Sequence, residues 1–92
     1  MRLVFSTQAA AEYRAWQAQD QETLARIDAL IKASLLEPFE GMGKPEPLRG
    51  RLGGWWSRRI GREHRLVYRV RGEGAARALE IAQCRYHPGA GQ

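Results

Sequence analysis

Glu46 stands between two prolines in the run Lys44-Pro45-Glu46-Pro47-Leu48, with Arg49 and Arg51 close behind. Proline fixes its own φ and biases the preceding residue toward extended angles, so the backbone carrying this carboxylate is stiff. A carboxylate held that way beside cations reads either as a positioned general base or as a solvated surface charge. Arg65 follows the turn-like Gly61-Arg62-Glu63 and enters the apolar run Leu66-Val67-Tyr68. Strand alternation places it on the face opposite Leu66 and Tyr68, aimed at whatever that face binds, or simply at solvent. His87 closes the run Cys84-Arg85-Tyr86-His87. An ordinary imidazole, with a pKa of about 6.5, can give or take a proton near neutrality. A lone histidine can equally be structural.

Taken as a set, these three side chains fit one chemistry. RNA carries its own nucleophile, the 2′-hydroxyl beside the scissile phosphate. Cleavage then needs a base for the 2′ proton, an acid for the leaving 5′ oxygen and a cation for the developing charge. Glutamate, histidine and arginine supply all three without a metal or cofactor. The chain has no HExxH, no paired histidines and no dense carboxylate cluster. It also lacks a P-loop and a nucleophile elbow. Cys84 is the single cysteine, which leaves no intrachain disulfide and no cysteine-based zinc site, and fits a reducing cytosol.

The charge distribution points the same way without deciding it. The 92 residues carry a net charge of +5. Residues 1–48 hold five basic and seven acidic side chains, whereas residues 49–92 hold ten and three, and all ten are arginine. Arginine presents a planar fork that matches phosphate and stacks on bases. Such a half-chain suits a nucleic acid, but also an acidic protein partner or a solubilising surface.

The elements that must position these residues are legible from patterning. Ninety-two residues make one domain, residues 1–92, with 88–92 read as a flexible tail. The segment "RLVF" (2–5) reads as a strand. Ser6 or Thr7 can cap a first helix over about 7–18, and Asp20 a second over 21–36, whose Leu24, Ile27, Ile31 and Leu35 form one apolar face. Glu37-Pro38 ends it. Residues 38–54, with three prolines and five glycines, read as a long loop, and a loop of that length in a small domain tends to be functional or disordered. Strands follow at 55–60, 64–70 and 78–86. Leu79, Ile81 and Gln83 are expected on one face of the last, and Glu80, Ala82, Cys84 and Tyr86 on the other. The expectation is an α+β two-layer domain of order β-α-α-β-β-β, with a helical hairpin covering one face of a mainly antiparallel sheet and a basic concave surface on the other. No run is long enough for a membrane span and none has signal-peptide character.

The segments "PFEGMGKPEPLRG", "GWWSRRI", "EHRLVYRV" and "CRYH" occur in an order and spacing that resemble the YoeB/Txe toxins of the RelE-like superfamily. With the opening "MRLVFS" and the paired helices, the likeness spans nearly the whole chain. The resemblance implies a cytoplasmic endoribonuclease that cuts mRNA in the A site of translating ribosomes. It implies Glu46 as the catalytic glutamate, Arg65 as the transition-state arginine and His87 as the general acid. It places Arg59 at a basic active-site position, and Lys44 and Arg49 at phosphate contacts, Arg49 standing where a lysine is frequent. It further implies a YefM/Phd-like antitoxin with a flexible, acidic C-terminal segment, and a toxin homodimer. Two features depart from the pattern. Pro88 stands where a terminal tyrosine is common, leaving Tyr86 as the aromatic that can substitute, and the hairpin "RGEGAAR" is long. The first departure keeps a second expectation open: a module that occupies the ribosome or represses its operon without efficient cleavage.

Overall fold

The computed structural model describes residues 1–86; His87, Pro88 and the rest of the expected tail lie outside the described residues. Strand β1 (Arg2–Phe5) leads directly into the hairpin of α1 (Thr7–Gln19) and α2 (Gln21–Leu36). Of the two candidate caps it is Ser6 that serves. Its oxygen accepts from the Ala9 amide at 2.9 Å while its hydroxyl donates to the Ala82 carbonyl at 2.8 Å, tying the helix start to the sheet. Asp20 serves both helices. Its amide donates to the Trp16 carbonyl to end α1, and its carboxylate accepts from the Thr23 amide to begin α2. Hydrogen bonds from the Thr23 amide and hydroxyl hold that carboxyl below the usual carboxylate value. Glu37 turns extended (φ −147°, ψ 90°) before Pro38, and the helix stops there.

The sheet has five strands: β1, β2 (Glu46–Pro47), β3 (Trp56–Arg59), β4 (Arg65–Arg71) and β5 (Ala78–Gln83), in spatial order β1-β5-β4-β3-β2. Only β1 and β5 run parallel; the other pairs are antiparallel. The helices cover one face, where Ala9, Trp16, Ile27, Leu30 and Ile31 meet Leu66, Tyr68, Leu79 and Ile81. Burying each large aliphatic of this set contributes about 1.5–3 kcal/mol. No membrane-crossing helix exists among the described residues.

Two expectations are corrected. The stretch 38–54 is not a continuous loop, because Glu46 and Pro47 pair with Ser57 and Trp56 as a fifth strand. Pairing with an existing edge, not local propensity, makes a strand of so short a segment. The last strand also ends at Gln83 instead of residue 86, and its face pattern inverts. Tyr68 lies opposite Ile81 but Val67 lies opposite Gln83, so Ala82 is an extra, bulged residue. Gln83 therefore joins the face of Val67, and Cys84 turns into the core, fully buried. Beyond the bulge, side chains replace the ladder. Glu12 accepts from the Cys84 amide at 2.7 Å and the Trp16 indole donates to the Cys84 carbonyl at 2.9 Å. Burial, reinforced by the Glu12 charge, pushes the Cys84 thiol up to about 12.

Alternation along β3 puts Arg58 on the same face as Trp56, and that face is the buried one. Its guanidinium is fully enclosed and donates to the Tyr68 hydroxyl (3.0 Å) and to the carbonyls of Met42 (2.8 Å), Glu37 (2.6 Å) and Glu40 (2.9 Å). The Tyr68 hydroxyl in turn donates to the Pro38 carbonyl at 2.6 Å. Residues 37–42, which have no ladder of their own, are thus wrapped on an arginine. Gly43 makes the approach feasible. Its φ is +82°, and a Cβ there would lie 2.7 Å from Leu30 Cδ2 and 3.1 Å from Arg58 Cβ.

Two outcomes are expected. Arg58→Met leaves three partly buried carbonyls without their donors, and urea unfolding should show a loss of about 3 kcal/mol or more; a loss under about 0.5 kcal/mol, the size of an ordinary surface change, would refute the wrapping role. Cys84, enclosed and held as a thiol, should resist alkylation at pH 8 until the chain is unfolded. Labelling of the folded protein at the rate of a free thiol would contradict its placement.

Candidate active site

Cross-strand neighbours share a face. The pairs Glu46 with Ser57, Ser57 with Val67, and Arg59 with Arg65 therefore put Glu46, Arg59 and Arg65 on the face away from the helices. Glu46 Oε1 lies 3.4 Å from Arg65 Nη1, with the glutamate side chain 58% exposed and the arginine 21%. The long separation and the glutamate's exposure make this a loose pair, worth well under about 1 kcal/mol. Its interest is geometric: a carboxylate and a guanidinium, 19 residues apart in sequence, meet on an open surface.

The cations expected around them divide. Arg59 and Arg65 are directly opposite each other, an unfavourable like-charge pair that concentrates positive potential beside Glu46. The Arg59 amide donates to the Gly43 carbonyl at 2.7 Å, which brings the Lys44 backbone alongside, and Lys44 holds a left-handed φ of +49°. Lys44 and Arg49 are both exposed and flank β2 in the chain, but neither makes a hydrogen bond or ion pair with Glu46 among the described residues. Arg49 opens a short 3-10 turn, Gly50–Leu52. The basic surface is narrower than the arginine count suggests. Arg58 is in the core, and Arg69 and Arg71 both bind Glu80, at 2.7 and 2.8 Å. Burial raises the Glu80 carboxyl, but the two arginines outweigh it and hold the pKa below its usual value. Arg69 also stacks on Trp55, 4.3 Å from the ring centroid.

The rim opposite β2 is made by Tyr86. Its carbonyl accepts from the Arg65 amide at 3.2 Å, its amide donates to His64 Nδ1 at 2.8 Å, and its ring is half exposed. Tyr86 holds φ at +58°, a left-handed conformation that costs a non-glycine residue about 1–2 kcal/mol. His87, the remaining expected member of the set, lies outside the described residues, one peptide bond further on. Sequence reading passed over His64, because a histidine adjoining Arg65 carries no motif of its own. It also passed over Ser57, whose hydroxyl is buried beneath this face with no hydrogen-bond partner among the described residues. No three histidine, cysteine or acidic side chains converge there as a metal would require, among the described residues.

An α+β domain with a Glu–Arg pair on its exposed sheet face and a strained aromatic at the rim is the setting in which the comparisons with known proteins fall. The model of the YoeB-like toxins of bacterial type II toxin–antitoxin systems matches residues 5–88, and the chain belongs to that family. Toxin YoeB of Escherichia coli (strain K12) is 48% identical over 87 residues, covering 95% of this chain and 99% of that one. The structure of a YoeB/ParE toxin from Agrobacterium tumefaciens superposes with a TM-score of 0.92 at 46% identity, over 96% of this chain and all of that one. YoeB from Staphylococcus aureus, in a heterotetrameric complex with the antitoxin YefM, gives a TM-score of 0.84 at 39% identity, over 96% and 98%.

Proposed function

We propose that this toxin is a ribosome-dependent endoribonuclease that cuts mRNA in the A site by metal-free general acid–base catalysis. The observation that carries the reading is the Glu46–Arg65 pair, 3.4 Å apart on the open sheet face. Glu46 takes the proton of the 2′-hydroxyl. The freed oxygen attacks the adjacent phosphorus, Arg65 stabilises the charge on the phosphorane, and His87 protonates the departing 5′ oxygen. The products are a 2′,3′-cyclic phosphate and a 5′-hydroxyl, with no net change in protons and no cofactor. Lys44, Arg49 and Arg59 supply phosphate contacts, and the half-exposed ring of Tyr86 a surface on which a base can stack.

The exposure of Glu46 supports dependence on the ribosome. An open face does not by itself hold RNA in an in-line geometry, and a presented, pre-bent message supplies that orientation. The ribosomal substrate places the protein in the cytoplasm. The antitoxin partner is of the YefM/Phd type, with an acidic segment that would cover the Arg59–Arg65 surface, and the toxin also pairs with a second copy of itself.

Primer extension on a translated message provides the test. The wild type should create new 5′ ends only when ribosomes are present. Glu46→Gln, Arg65→Ala and His87→Gln should each lower the single-turnover rate by about 10²-fold or more. Three variants as active as the wild type would refute the assignment, and ribosome binding without new ends would leave the occupancy reading in its place. Affinity for the message should also fall steeply between 50 and 200 mM salt, roughly those limits being ones where phosphate contacts are released; a flat response would assign the cations to the antitoxin.

A further inference from the structure

The sheet face away from the helices carries a second group of cations, outside the proposed chemistry. Alternation along β4 puts Arg69 and Arg71 on the face of Arg65, and four residues of strand set Arg69 about 13 Å from it. Glu80 lies opposite Arg69 on β5. Its carboxylate accepts from Arg69 Nε at 2.7 Å and from Arg71 Nη1 at 2.8 Å. One carboxylate thus fixes two guanidiniums but cancels only one of their charges, and each fork has further N–H donors to offer. Trp55 backs the Arg69 guanidinium, 4.3 Å from its ring centroid. These side chains line a trough of about 490 Å³. It runs on past Val4 into a second, of about 360 Å³, where Arg2 joins Arg71 and Glu80. The joint lining carries three arginines against one carboxylate.

We infer that this trough is a second RNA subsite, which takes the next few nucleotides of a single strand whose scissile phosphate sits at the Glu46–Arg65 pair. This rests on the functional reading above. The Arg69 plane, backed by Trp55 on one side, offers its other side as a platform for a base. Arg71, with its side chain 58% exposed, presents its fork to an adjoining phosphate. Glu80 is a positioning residue, since anchored forks lose less side-chain freedom on binding than loose ones. A flat cationic platform beside a second fork matches a base next to its phosphate, whereas a run of acidic side chains has no use for the platform. Arg65 and Arg69 share one face of one strand, so a strand of RNA seated on the first continues over Val67 to the second. The trough holds substrate and transition state alike, being remote from the bond that breaks. It therefore lowers KM and leaves kcat unchanged.

Binding is measured on the Glu46→Gln protein with a labelled single-stranded RNA of about six nucleotides, 2′-O-methylated so that no cleavage intervenes. In that background Trp55→Ala should raise Kd about five- to a hundredfold. Arg71→Gln, which leaves Glu80 paired with Arg69, should raise it about three- to fivefold and lower the slope of log affinity against log salt by about 0.7. A polyglutamate peptide, which uses charge alone, should bind the Trp55→Ala protein as it binds the parent. With Glu46 restored, Arg71→Gln should raise KM in ribosome-dependent cleavage by a similar factor, with kcat within about twofold. RNA affinity within about twofold of the parent in both variants would overturn the inference. So would an equal loss of RNA and polyglutamate in Trp55→Ala, which would mark the trough as a surface for acidic proteins. The Glu46→Gln protein keeps the two readings apart. Full cleavage by it would overturn the functional assignment and leave the binding result standing, while an inactive Glu46→Gln protein with no effect in the trough variants would overturn the subsite alone.

Discussion

A fully buried guanidinium organises this small domain. Arg58 faces no carboxylate; its donors are spent on three backbone carbonyls and one phenol. Residues 37–42 need that arrangement, because their carbonyls have no strand or helix to accept for and would otherwise be enclosed without partners. Arginine alone among side chains offers enough fixed donors to serve several acceptors at once. The consequence runs outward. With 37–42 wrapped on Arg58, Gly43 descends against Leu30 and its carbonyl takes the Arg59 amide. Lys44 and Pro45 follow, and Glu46 falls into register opposite Ser57. The position of the exposed carboxylate is thus inherited from a contact inside the core.

The outer face concentrates features that cost stability. Two arginines sit directly across from each other, Lys44 and Tyr86 hold left-handed backbone, and the Ser57 hydroxyl is buried without a partner. Each is unfavourable by an amount comparable to a good hydrogen bond. They gather around the start of β4 and the neighbouring strands β3 and β2. Towards the end of β4 the charges are resolved: Glu80 binds Arg69 and Arg71, and Arg69 stacks on Trp55. The helix caps and the apolar layer supply the stability that lets one rim remain unresolved. That rim keeps the like-charged Arg59 and Arg65 beside an exposed carboxylate.

The helices were legible because their determinants are local. Apolar spacing in α2, the cap at Asp20 and the stop at Glu37-Pro38 placed both helices to within a residue. The alternation that set Leu66 and Tyr68 opposite Arg65 holds in β4, where Leu66 and Tyr68 face the helices. The fifth strand was not legible, since Glu46-Pro47 has no strand pattern and becomes one only against β3. The bulge at Ala82 was equally hidden. One extra residue exchanges the faces of Gln83 and Cys84, and nothing in "ALEIAQC" marks where it falls. Arg58 and Arg59 are adjacent and identical in type, yet one is core and the other surface.

What the sequence determined by itself is the set of groups and the elements that carry them: a stiffly held glutamate, an arginine-rich second half, a capped helical hairpin and a run of strands. These follow from residue type and short-range spacing, which act within a few residues. What the tertiary structure decided is which groups meet. Glu46 reaches Arg65 across 19 residues, Arg58 is taken inward by carbonyls 16 to 21 residues away, and His64 finds the Tyr86 amide across 22. Those meetings depend on register, on a bulge and on where unpaired backbone could find donors. All three are settled only when the whole sheet and its helical cover close together, because a hydrogen bond between distant residues carries no trace in the spacing of either one.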